Sequence, residues 1–369
     1  MKKSTQMLLV TLLSTITITA CNPRTLQQSP QQNNTDSAQT QQTPQQNTAQ
    51  RPMGNMTEYY VYTANEDDSS VSVINMATMQ TTVTVPVGQS PHNVQVTPDG
   101  NFVYVVENKS NSISAIDTKT NTVTKTIKVG EGPSHIIFSP DSKKAYVTVG
   151  EMAESAGMKS GDAHMGGSDT KGNVYVVDLA SGKVTAKIPV GQMPHGLRMS
   201  PDGKYIFVAN SNSNNISVID VSANKVSKTI KVGKMPTQVA VTPDSKLVFV
   251  TIGDENRVDV IDVSTLEVKK LIAVGGNPVQ NFVTPDGKYV YVANTGTSNV
   301  SVINTATLEV TATIPAASKS HGAVVSKDGK NVFITNTGAN SVSVVDTSSN
   351  TVVGTVAVGK GPNGITIKE

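Results

Sequence analysis

The sequence predicts an all-β chain folded as a seven-bladed β-propeller, with four-stranded antiparallel blades closed by the C-terminal strand. Three observations carry this. Steps of 42 residues from His92, with one step of 61 across an insertion, land on Ser134, His195, Thr237, Val279, His321 and Asn363. Each repeat holds four short runs in which apolar and small polar residues alternate, the pattern of half-buried strands. A period of about 40–45 residues built from such strands marks one propeller blade per repeat. Finally, the chain enters on a second-type strand, Tyr59 to Ala64, and ends on a lone first-type strand, Asn363 to Lys368. The last strand is therefore expected to complete the first blade, which removes the edges an open ring would expose.

Blade six displays the four strands in order: Val279 to Thr284, Lys288 to Ala293, Asn299 to Asn304 and Glu309 to Ile314. Their Val, Ile, Thr and Tyr content suits a pleated, half-buried surface. Pro285-Asp286-Gly287 joins the first strand to the second, and Pro98-Asp99-Gly100, Pro140-Asp141-Ser142, Pro201-Asp202-Gly203 and Pro243-Asp244-Ser245 recur at the same place. Proline presets φ, aspartate bonds nearby backbone and glycine adopts positive φ, so these are turns and their aspartates are structural.

Two segments precede the repeats. Lys2 and Lys3 lead into an apolar stretch, Met7 to Ile18, which is short for a membrane span and reads as the core of a secretory signal covering residues 1–20. Residues 21–57 are rich in Gln, Asn, Thr, Ser and Pro, a composition that cannot bury enough apolar surface to offset its ordering entropy. As a disordered tether this stretch would span on the order of 30 Å. The propeller is expected over residues 58–369. Cys21 is the only cysteine, so no disulfide within the chain can form. Without Lys2 and Lys3 the chain carries 28 basic and 28 acidic side chains, a balance that gives no reason to expect a nucleic-acid partner.

Ile18-Thr19-Ala20-Cys21 resembles the lipobox of bacterial lipoproteins. That resemblance implies cleavage before Cys21, lipidation of its sulfur and an extracytoplasmic chain anchored to a bacterial membrane, the outer one if there are two. Tyr289-Val290-Tyr291-Val292-Ala293-Asn294 followed by Asn299-Val300-Ser301-Val302-Ile303-Asn304 resembles the YVTN repeat of surface-layer and periplasmic propellers. Versions recur at Tyr205 to Asn210 and Val332 to Asn336. The resemblance implies the fold and leaves the activity open.

Strand direction then selects a functional face. First strands leave one face and second strands return to it, so second-to-third loops and blade-to-blade loops lie together. An insertion in blade three, about residues 150–172, belongs to that face. So do His92, His195 and His321 at the starts of innermost strands, with His135 one position out of register. Around the ring the first three are separated by two, three and two steps, an arrangement that surrounds the axis. Imidazoles converging on a channel mouth suit zinc or copper, and thioethers beside them suit Cu(I). The candidate ligands are His92, His135, His195, His321 and His164, with Met152, Met158, Met165 and Met193. Glu151, Met152, Met158, His164 and Met165 also form a candidate partner-binding surface, since methionines adapt to varied contacts.

Other chemistry has less support. The repeats contain no thiol nucleophile, no Gly-x-Ser-x-Gly elbow and no phosphate-binding glycine loop. Glu66, Asp67, Asp68, Glu107, Asp254 and Glu255 share the chosen face, but they stand in turns where solvated acids are expected. The expected function is thus a monomeric, lipid-anchored, non-catalytic scaffold binding a protein or another envelope component. Copper or zinc binding is the alternative. A propeller enzyme of lactonase or quinoprotein-dehydrogenase type comes third.

Overall fold

The computed structural model describes residues 59–150 and 172–369. Residues 1–58, over which a signal and a tether are expected and which include Cys21, lie outside it, as do Glu151, Met152, Met158, His164 and Met165. The described chain forms seven antiparallel four-stranded sheets. It is a seven-bladed propeller with almost no helix, as the period predicts.

Blade one is built from both ends of the described chain. Strand β1 (Tyr60–Asn65) is followed by β2 (Ser70–Asn75) and β3 (Gln80–Pro86), and the final strand β28 (Pro362–Lys368) pairs with the free edge of β1. The register sets Tyr60 opposite Lys368, Thr63 opposite Ile365 and Asn65 opposite Pro362. Blades two, three and four begin with the innermost strands β4 (Pro91–Val96), β8 (Pro133–Phe138) and β12 (Pro194–Met199). Blades five, six and seven begin with β16 (Pro236–Val241), β20 (Pro278–Val283) and β24 (Ser320–Val325). In six of these seven innermost strands, β28 included, the first residue is proline, which is tolerated where no ladder donor is required.

The core lies between blades rather than along the axis. Tyr104 and Ile113 of blade two pack with Ile136, Val147 and Tyr175 of blade three, and Tyr62 and Val73 of blade one pack with Val94 and Val105 of blade two. Strand alternation produces this directly, because each radial sheet presents apolar residues to both neighbours. The fourth strands form the rim, and their mostly exposed faces carry lysines and threonines that discourage edge pairing.

Two repeated polar devices fix the backbone. In the turns, Asp99, Asp202 and Asp286 accept from the hydroxyls of Thr97, Ser200 and Thr284, each at 2.6 Å. These bonds draw the carboxyls below their ordinary range. The asparagine closing the second strand makes the other device. Asn65 Nδ2 donates to Ser70 and Ser72 Oγ at 2.9 Å, and Asn210, Asn294 and Asn336 repeat the pattern in their own blades. The blade-to-blade loop leading into the same blade packs against this amide. A Cβ on Gly191 would stand 2.7 Å from Asn210 Cβ, which explains glycine there.

Candidate metal centre

Three successive innermost strands carry the site. His92 is the second residue of β4, His135 the third of β8 and His195 the second of β12. Pairing of each strand with its neighbour shifts register just after the leading proline, at Pro91/Asn93, Pro133/Ile136 and Pro194/Leu197. Such irregularities re-aim side chains. Here they accompany rings that meet at the channel mouth, with centroids 5.2 Å apart for His92–His195, 5.4 Å for His92–His135 and 4.4 Å for His135–His195. One nitrogen from each ring lies within 4.8 Å of the other two.

Backbone contacts hold this arrangement from below. Thr148 in β9 (Lys144–Gly150) is fully buried, accepts from His135 N–H at 2.9 Å and donates to the His195 carbonyl at 2.8 Å. One hydroxyl thus ties two of the histidine-bearing strands together.

Hydrogen bonds define the tautomers. His195 Nδ1 lies 2.9 Å from the Thr237 carbonyl. A carbonyl only accepts, so Nδ1 carries the proton and neutral His195 presents a bare Nε2. That Nε2 stands 3.2 Å from His92 Nε2. His135 Nδ1 is 2.9 Å from Ser134 Oγ, while its Nε2 is buried without a hydrogen-bond partner. Burial drives the His135 pKa well below its ordinary value, aided by His195, His92, His321 and the Arg198 guanidinium, so its ring is neutral.

His92 has a different environment. Its Nδ1 stands 3.1 Å from Asn363 Nδ2 and 3.5 Å from Glu66 Oε2. Glu66 also accepts from Ser90 Oγ at 2.9 Å and from Asn363 Nδ2 at 2.7 Å. Burial pushes the Glu66 carboxyl up, but His92, Asn363 and Ser90 outweigh it and hold the group well below the carboxylate range.

The spacing of the His92 and His195 nitrogens suits a borderline metal ion. Two imidazoles on a tetrahedral ion at about 2.0–2.1 Å hold their nitrogens about 3.3 Å apart, close to the 3.2 Å between His92 and His195. A set of neutral nitrogen donors suits zinc or copper rather than magnesium or calcium.

The fate of each candidate residue is clear. His92, His135 and His195 converge, and His321 is outside that group. His321 Nδ1 is buried without a partner, and burial, followed by the neighbouring His92, lowers its pKa to about 4. Met193 is half-buried in the turn before β12, at φ +48°. Sequence reasoning missed Glu66 and Asn363. Glu66 is expected from the sequence to be a solvated turn acid, but it is a bonded, partly buried carboxylate facing His92.

Residues 25–271 match the family described as lactonase, 7-bladed β-propeller. The chain belongs to that family. Residues 228–369 match a second description, YNCE-like β-propeller, so the two together reach from the tether to the closing strand. No curated protein matches the chain. Among solved structures, hydrazine synthase from Kuenenia stuttgartiensis is 26% identical with a TM-score of 0.63, over 74% of this chain and 88% of that one. A functionally unknown protein from Desulfotomaculum acetoxidans is 18% identical with a TM-score of 0.70, over 84% of this chain and 98% of that one. The dihydro-heme d1 dehydrogenase NirN, in complex with DHE, is 16% identical with a TM-score of 0.61, over 83% of this chain and 74% of that one. The last two likenesses establish the fold alone.

Proposed function

We propose that this seven-bladed propeller is a metal-binding protein of the cell envelope, holding one zinc or copper ion on His92, His135 and His195. One observation carries the reading. His92 Nε2 and His195 Nε2 stand 3.2 Å apart, close to the separation an ion imposes, beside a third imidazole whose buried Nε2 has no partner. An orphaned buried polar atom is costly, by about 1–3 kcal/mol, and an ion would satisfy it. Three ligands leave a fourth position open on a tetrahedral ion, so the bound metal would stay accessible from the mouth. The propeller then acts as the scaffold that presents the ion. Lactone chemistry ranks below this reading because it would rest on the family description alone, whereas metal binding rests on placed nitrogens.

The deciding measurement is elemental analysis of the purified protein after incubation with Zn²⁺, Cu(II) or Cu(I) and desalting. Near one equivalent is expected in the wild type and none in the His92/His135/His195 triple alanine variant. Background levels in both would end the metal reading and leave a bare scaffold.

We place the protein on the membrane through Cys21, on the strength of the lipobox resemblance. Cys21→Ser should move it from the membrane fraction to the soluble extracytoplasmic fraction. Unchanged membrane association would exclude the lipid anchor.

A further inference from the structure

Glu66 departs from a rule that its own repeat sets. The residue after each second strand occupies one structural position, and in four blades its side chain donates to the next blade. Asn108 Nδ2 reaches the Pro133 carbonyl at 3.0 Å and Ser211 Oγ the Pro236 carbonyl at 2.7 Å. Thr295 and Thr337 Oγ1 reach the Ser320 and Pro362 carbonyls at 2.6 and 2.8 Å. Each bond pins a turn to the first residue of the next innermost strand. Glu66 stands at this position before Pro91, and an ionised carboxylate has no proton to donate. It instead accepts from Ser90 and Asn363 and lies beside His92 Nδ1. Blade one thus gives up a repeated structural bond and gains an acid behind a ligand.

Resting on the metal reading above, we propose that Glu66 is the outer carboxylate of the metal site and that, through Asn363, it couples ion binding to ring closure. A neutral histidine that gives Nε2 to an ion carries its proton on Nδ1 and needs an acceptor there. Asn363 Nδ2 is a donor, so it matches the opposite His92 tautomer, the one suited to the ion-free protein. Glu66 Oε2, 3.5 Å away, is the acceptor that the ion-bound tautomer requires. Glu66 is therefore a positioning residue.

The coupling follows from where these groups sit. Glu66 follows β1 and Asn363 lies in β28, so both belong to the blade that the chain's two ends complete, whereas His92 belongs to blade two. Ion binding at His92 strengthens a contact across that seam. Asn363, bonded to the carboxylate at 2.7 Å, keeps it aimed only while β28 is in place. Linkage makes the effect reciprocal: whatever factor closure adds to ion affinity, the ion adds to closure.

The test measures zinc affinity by competition with a chromophoric chelator, and hydrogen exchange of β28 amides with and without zinc. Glu66→Gln should weaken zinc about 10–100-fold, the usual cost of losing an outer-shell partner, and Glu66→Asp should regain part of it. Zinc should slow β28 exchange in the wild type. In zinc-saturated Glu66→Gln it should slow exchange near β8 and β12 but not in β28. Equal affinity in wild type and Glu66→Gln, or β28 exchange indifferent to zinc, overturns the proposal while leaving the three-histidine site intact. A wild type that binds neither zinc nor copper removes the metal reading itself and this proposal with it. Should Glu66→Gln fail to fold, the zinc dependence of β28 exchange in the wild type decides alone.

Discussion

A chain ending at Gly361 should lose cooperative folding at temperatures where the full chain is native. Removing residues 362–369 strips β1 of its only partner on that edge and uncovers the core between blades seven and one. Ile365, only 6% exposed, packs there with Val61, Phe333 and Val344. Deleting one such side chain costs about 2–5 kcal/mol, and each lost strand hydrogen bond adds about 0.5–1.5 kcal/mol. Contacts beyond the pairing disappear as well. Thr63 Oγ1 donates to the Gly364 carbonyl at 3.1 Å, and Thr366 Oγ1 accepts from Val96 N–H at 3.2 Å, linking β28 to blades one and two. The summed loss is comparable with the whole net stability of a typical domain, about 5–15 kcal/mol. Thermal unfolding followed by circular dichroism should show a fall of about 10 °C or more, or no cooperative transition. A synthetic peptide of residues 362–369 should restore part of it by adding a strand to the open edge. A truncated protein that melts with the full chain would mean that the seam carries little of the stability.

The closure behind this prediction was legible in the sequence, because strand counting needs only a period and two chain ends. The same arithmetic placed the histidines on one face. First strands came out about one residue late, as in Val279 to Thr284 against the observed Pro278–Val283, and second strands about one early, as in Lys288 to Ala293 against Tyr289–Asn294. The composition of the trio was not legible. Register equivalence ranked His321 with His92 and His195 and set His135 among the candidates one position out of register, because a period reports position along the strand and not the twist behind a register shift. Between Pro133 and Ile136 the ladder loses step, and the ring one place late joins the mouth. Glu66 was hidden for another reason. An acid in a turn is ordinarily solvated, and only comparison with the donors Asn108, Ser211, Thr295 and Thr337 exposes it as the residue that does not fit.

His135→Ala and His321→Ala should therefore part company, although both remove a buried imidazole from the same face. His135 contributes one of three converging nitrogens, and its Thr148-tethered backbone fixes where that nitrogen sits. Without it the ion keeps two ligands and loses the charge-free donor that burial had prepared. Zinc affinity should fall by at least about 100-fold, more than the 10–100-fold typical of an outer-shell loss. His321 supplies no nitrogen to the trio, and its buried Nδ1 already lacks a partner. Its removal deletes an unsatisfied polar atom rather than a bond, which on balance is nearly neutral for stability. Zinc affinity should change by less than about 3-fold, since the electrostatic influence of a neutral ring on the trio is slight. Chelator competition on the two variants, each checked for an unchanged melting profile, reads both numbers directly. Equal losses would restore the wider ring of histidines around the axis. A loss confined to His321→Ala would place the ion on the opposite side of His92, next to blade one.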